Sequence, residues 1–187
     1  MPDAPWRDVA VPVDKVSQGP DADPEAVARK ILLDQLTGQA RSRSELAGKL
    51  AKKGVPAEVA SRLLDRFEEV GLVDDSAFAR EWVTSRQSSR GLARRALAQE
   101  LRRKGIDDEV AQEALAEVDP DDEVASAREL VRRKLRTVAG LDRQVAIRRL
   151  SGLLARKGYP PGIAFSVVRE ELEAAGQPAD DLLGDAL

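Results

Sequence analysis

The sequence contains no cysteine and no histidine. The first absence excludes disulfides and thiolate chemistry. The second removes the commonest general base and the commonest transition-metal ligand. Aromatic residues make up only 3% of the 187 residues, so any core has to be built mainly from Leu, Val, Ile and Ala. No apolar run reaches the length of a membrane-spanning helix, and the opening stretch MPDAPWRDVAVPVDK lacks the basic-then-apolar order of a secretory signal. A cytoplasmic protein with no membrane partner is expected. Strand signals are also missing, because β-branched alternation occurs only near the start. No glycine-rich phosphate loop and no carboxylate constellation is visible. The sequence therefore predicts no catalytic residues, no metal and no cofactor, and an enzyme is not expected.

Charge, by contrast, is plentiful and uneven. Charged residues are 34% of the chain and the net charge is −3. Residues 1–24 carry −3 and residues 171–187 carry −5, so the body between them carries +5. A basic body between acidic ends fits an anionic partner. It fits equally a set of charged faces that keep a helical surface wet.

The body contains a repeat. LAGKLAKKGVPAEVASRLL (46–64), LAQELRRKGIDDEVAQEAL (97–115) and LSGLLARKGYPPGIAFSVV (150–168) align at offsets of 51 and 53 residues. Leu46, Leu97 and Leu150 match, as do Leu50, Leu101 and Leu154, the Lys-Gly pairs at 53–54, 104–105 and 157–158, and an apolar-Ala pair beyond. Agreement in register at this many positions marks internal duplication. Each copy reads as helix, glycine turn, helix: the leucines are spaced i, i+4 on one face, and the glycine ends the helix in a left-handed conformation. A further helix precedes each copy, in DPEAVARKILLDQL, DDSAFAREWV and DPDDEVASARELVRRKL, each opening on an Asp able to cap it. The expected fold is all-α, three tandem three-helix repeats in an elongated, curved array. The expected boundaries are a disordered acidic leader at 1–23, repeats at 24–73, 74–119 and 120–175, and a flexible tail at 176–187.

One stretch invites a different reading. GLVDDSAFAREW (71–82) pairs two acids with a Phe and a Trp. Asp74 and Asp75 resemble an acid–base or metal pair, yet they stand where Asp23 and Asp119 start the other repeats. The repeat makes them helix-start residues. Phe78 and Trp82, spaced i, i+4, then form part of a core stripe.

The same stretch carries a resemblance. Leu72, Val73, Asp74, Asp75, Phe78, Ala79, Arg86, Arg90, Gly91, Leu97, Leu101, Lys104, Gly105 and Ile106 resemble the pattern of the RecX family, bacterial regulators of the RecA recombinase. The likeness spans about residues 25 to 175. It implies tandem three-helix repeats that bind along the groove of the RecA filament on single-stranded DNA and repress its ATPase, strand-exchange and coprotease activities. The leader lies outside the likeness. The third repeat departs from its siblings by extra residues around TVAGLDRQVA, and by Tyr159 where the others have Val55 and Ile106.

Helical phase places the candidate contact residues. In the helix opening at Asp119, Val124, Ala127, Val131, Leu135 and Val138 form one apolar stripe. Arg128, Arg132 and Arg136 follow at i+4 as a basic row beside it. Arg95 and Arg148 are equivalent positions, as are Lys52, Arg103 and Arg156. With the leucines turned inward, these bases project outward as a stripe suited to a long anionic surface. Arg94 falls on the apolar side, where its stem would snorkel. The alternative for the row is a solvated face in which Glu129 pairs with Arg133. The alternative for the whole protein is a helical-repeat regulator that contacts duplex or single-stranded DNA directly, as a helix-turn-helix does. Weak direct DNA contact is compatible with either reading. Against the alternative, residues 107–118 contain no base, a poor composition for reading base edges. When free, the protein is expected to be a monomer.

Overall fold

The structure, a computed structural model, describes residues 23–176. The expected leader and tail lie outside the described residues, apart from Asp23 and Gly176. The described residues are helical with no strand: α1 (Pro24–Gly38), α2 (Arg43–Lys52), α3 (Ala57–Glu69), α4 (Asp75–Arg90), α5 (Arg94–Arg103), α6 (Asp108–Ala116), α7 (Pro120–Lys134), α8 (Arg143–Arg156) and α9 (Pro161–Ala174). They form three tandem three-helix repeats.

Local chemistry explains the ends. Asp23, Asp74 and Asp119 accept from the backbone N–H groups of Glu25, Ala77 and Asp121 at the starts of α1, α4 and α7, satisfying donors that a helix start leaves without partners. Gly54, Gly105 and Gly158 have φ of +76°, +72° and +90° just beyond α2, α5 and α8. That conformation is cheap only for a residue without a Cβ, which is why the Lys-Gly pair recurs.

Three apolar clusters result, one for each repeat. Leu46, Leu50, Leu97, Leu101, Leu150 and Leu154 are all buried at their centres. The chain divides into two compact units. The first contains α1, the length of α2 from Glu45 onward, and α3; the second contains Ser42–Ser44 and α4 to α9. In the first, Ala28 and Leu32 of α1 pack with Leu46, Leu50, Leu63, Leu64 and Phe67. Val70 is 53% exposed, because α3 has already ended at Glu69.

Within the second unit the two repeats are joined by a built contact. Ala93, at the start of α5, belongs to the cluster of the third repeat. Its N–H donates to the Lys157 carbonyl at 2.9 Å. The Lys157 ammonium donates to the Arg90 carbonyl at 2.8 Å, and the Tyr159 hydroxyl to the Gly91 carbonyl at 3.2 Å. Tyr159 is thus no casual replacement for a smaller residue: it reaches back across 68 residues to the end of α4. Burial, with the Glu123 carboxylate adding to it, pushes its hydroxyl pKa up to about 12. The folded value lies above the unfolded one, so this group's contribution is complete below pH ~10 and is lost as pH rises from about 10 to 12. Tyr159 is the only tyrosine in the chain, so an ultraviolet absorbance titration reads it alone. Ionisation near pH 12 is expected in the folded protein and near pH 10 in denaturant. Ionisation near 10 in both would show that the ring is not buried.

Candidate functional site

The arginines singled out by helical phase and by the repeat fall into two groups. Arg128 and Arg132 are engaged with α9. Arg132 makes a two-pronged contact with Glu171, Nε and Nη2 donating to its carboxylate oxygens at 2.7 and 2.9 Å. Glu171 is buried, and the pair raises the Arg132 pKa above its usual value. Arg128 Nη2 donates to Glu170 at 2.7 Å. These two side chains of the expected partner-facing row thus clamp α7 to α9. Arg136 does not continue the row, because α7 ends at Lys134 and residues Leu135–Thr137 tighten into a 3₁₀ turn. A 3₁₀ helix turns faster per residue and shifts the phase. The Glu129–Arg133 pair proposed for a solvated face is present at 3.6 Å, with both side chains exposed.

The second group is free. Arg95 and Arg103 on α5, Arg148 and Arg156 on α8, and Arg136 are exposed, and none makes an ion pair among the described residues. Arg95 and Arg103 are two turns apart on the face opposite Leu97 and Leu101. Arg148 and Arg156 repeat that arrangement at an offset of 53 residues. Arg149 is also exposed and falls on the same side of α8.

Carboxylates from other helices, Glu123 buried and Asp75 half-buried, hold helix starts. The N–H of Arg94, at the first position of α5, donates to Glu123 Oε1 at 2.8 Å, and Arg94 Nε lies 3.2 Å from Oε2. Arg94 therefore does not simply snorkel but is fixed by an acid on α7. Asp75 plays the same part, accepting from the Arg43 N–H at 2.8 Å, while its neighbour Asp74 caps α4. Sequence reasoning gave both aspartates to their own helix and missed this. The signal was faint: two acids stand where the other repeats have Asp-Pro.

Trp82 was expected in the core and is only half-buried. Its ring stacks on Phe78 with centroids 5.6 Å apart. Arg86 Cζ and Lys104 Nζ lie 4.1 and 4.4 Å from the ring centroid. The indole N–H donates to Glu100 at 2.9 Å. Arg86 and Lys104, both part of the motif in the sequence, thus brace the junction of α4 and α5 rather than offering free charge. Among the described residues no cluster of His, Cys, Asp or Glu could hold a metal ion, and no helix is long and apolar enough to cross a membrane.

Models of the three RecX domains match the chain in order. The first three-helix domain matches residues 28–67, the second 74–115 and the third 121–168. The chain belongs to the RecX family. The protein named regulatory protein RecX in Streptomyces lividans is 51% identical over 163 residues, covering 87% of each chain. That of Thermobifida fusca is 49% identical over 165 residues, covering 87% of this chain and 89% of its own. The fold also matches the crystal structure of RecX from Lactobacillus salivarius, with a TM-score of 0.74 and 21% identity over 80% of this chain and 97% of that one. Both relatives are named regulatory proteins.

Proposed function

We propose that this RecX-family chain represses the RecA recombinase by docking along the groove of the RecA filament on single-stranded DNA. In this reading it restrains the ATPase, strand-exchange and coprotease activities, and works in the cytoplasm as a monomer without a cofactor or chemistry of its own. The observation that carries the reading is the pair of unpaired arginines recurring on α5 and α8, Arg95 with Arg103 and Arg148 with Arg156. Equivalent charges on successive repeats suit a partner that is itself periodic and anionic. Arg136 adds charge from the third repeat. Arg128 and Arg132 contribute by fixing α7 against α9.

Direct binding to naked DNA is the weaker reading. The same arginines would meet phosphates there, but α6 carries Asp108, Glu109 and Glu113 and no base. Co-sedimentation separates the two. The protein should pellet with RecA assembled on single-stranded DNA in the presence of nucleotide, slow its ATPase, and bind DNA alone far more weakly. Equal binding to DNA alone would favour the second reading.

A further inference from the structure

The Lys-Gly-apolar turn that follows each leucine helix is a docking element in two of its three occurrences. At Lys104-Gly105, the Lys104 carbonyl accepts from the Ser42 hydroxyl at 2.6 Å, and a Cβ on Gly105 would collide with the Ser44 side chain. Ser42–Ser44 cluster with the second unit. At Lys157-Gly158, the Lys157 carbonyl accepts from the Ala93 N–H at 2.9 Å, and a Cβ on Gly158 would lie 2.6 Å from the Ala96 nitrogen. Ser42 and Ala93 are equivalent positions, each just ahead of a leucine helix. Both turns therefore press a glycine and offer a carbonyl to the start of a helix, where small residues leave room.

The third occurrence, Lys53-Gly54-Val55, has no such neighbour among the described residues. Gly54 has the same left-handed φ of +76°, with nothing among the described residues within 4 Å of where its Cβ would be. The Lys53 carbonyl accepts no hydrogen bond among the described residues. Lys49, Lys52 and Lys53 are exposed around it and form no ion pair among the described residues.

A second copy of the chain does not supply the missing seat. The position equivalent to Ser42 and Ala93 in the third repeat is Ala146. It lies inside α8, which starts a turn earlier at Arg143, and its N–H is already bonded to the Asp142 carbonyl at 2.9 Å. Asp142 Oδ1 also takes the Gln144 and Val145 N–H groups. The extra residues that set the third repeat apart thus fill its seat from within.

We infer that the Lys53-Gly54-Val55 turn is a contact surface for a different protein. It would seat the start of a partner helix that presents a small residue and a hydrogen-bond donor to the Lys53 carbonyl, with carboxylates near for Lys49 and Lys52. This rests on the filament reading above, and assigns the turn to the protein subunits of the filament rather than to its DNA.

Gly54→Asn tests it. Asn tolerates the left-handed conformation and its side chain enters open space, so thermal melting should stay close to that of the unmodified protein. Affinity for the RecA filament should fall by about tenfold or more, the scale of one lost seated contact, while affinity for single-stranded DNA alone is unchanged. If Gly54→Asn melts early, Lys49→Glu with Lys52→Glu reads the same surface through exposed side chains and should weaken filament binding likewise. Full filament binding by a folded Gly54→Asn, or by that lysine pair where Gly54→Asn does not fold, overturns the inference and leaves the filament reading standing. Failure of the unmodified protein to bind the filament overturns both.

Discussion

Gly158→Val is expected to destabilise the second unit by about 3 kcal/mol or more, among the largest effects of any single change. Two costs combine. Gly158 has φ +90°, a conformation that costs an L-residue roughly 1–2 kcal/mol. Its Cβ would also sit 2.6 Å from the Ala96 nitrogen and 2.7 Å from the Ala96 Cβ. The nitrogen is backbone, so it cannot swing aside, and the Ala93–Lys157 and Tyr159–Gly91 hydrogen bonds would be pulled apart with it. Gly140→Val provides the control, because φ there is +79° but nothing among the described residues lies within 4 Å. It should show only the conformational cost. Urea unfolding of both variants separates the terms. Equal losses would mean that the close approach between the repeats contributes nothing.

Trp82→Ala should cost about 3 kcal/mol, within the range of aromatic truncations that leave a gap. The ring is half-buried, so area alone would give less. Its stacking on Phe78, the two cations over its face and the bond to Glu100 supply the rest. Trp82→Phe should recover much of the loss, keeping the stack and forfeiting the indole N–H. A folded Trp82→Ala of unchanged stability that no longer bound its partner would instead make the ring part of the interface.

These expectations show what the sequence made legible. Leucine spacing, the Lys-Gly turns and the capping aspartates are local patterns with local causes, and they located the repeats and the helix starts. The side chains whose surroundings the sequence did not give are those whose partners are remote. Arg132 meets Glu171 across 39 residues, Arg94 meets Glu123 across 29 and Tyr159 meets Gly91 across 68. Helical phase says that an arginine points away from the leucines. It does not say whether an acid from another helix waits there. Arg136 was misplaced for a different reason: its apolar neighbours keep a helical rhythm, but the backbone tightens at Leu135. Tyr159 stood out as a departure from the repeat, and only packing gave the departure its meaning.

Reversing Arg132 would set two carboxylates against each other at a buried Glu171 and confuse folding with binding. The unpaired arginines avoid this. The direct measurement is filament co-sedimentation of a variant carrying Arg95→Glu, Arg103→Glu, Arg148→Glu and Arg156→Glu, across a range of salt. The helical circular-dichroism signal should be kept, since exposed substitutions of this kind usually change stability little. Binding to RecA on single-stranded DNA and repression of its ATPase should be lost, and the residual binding should respond less to salt, because fewer charge contacts remain to screen. Binding and repression that persist with the original salt dependence would contradict the account.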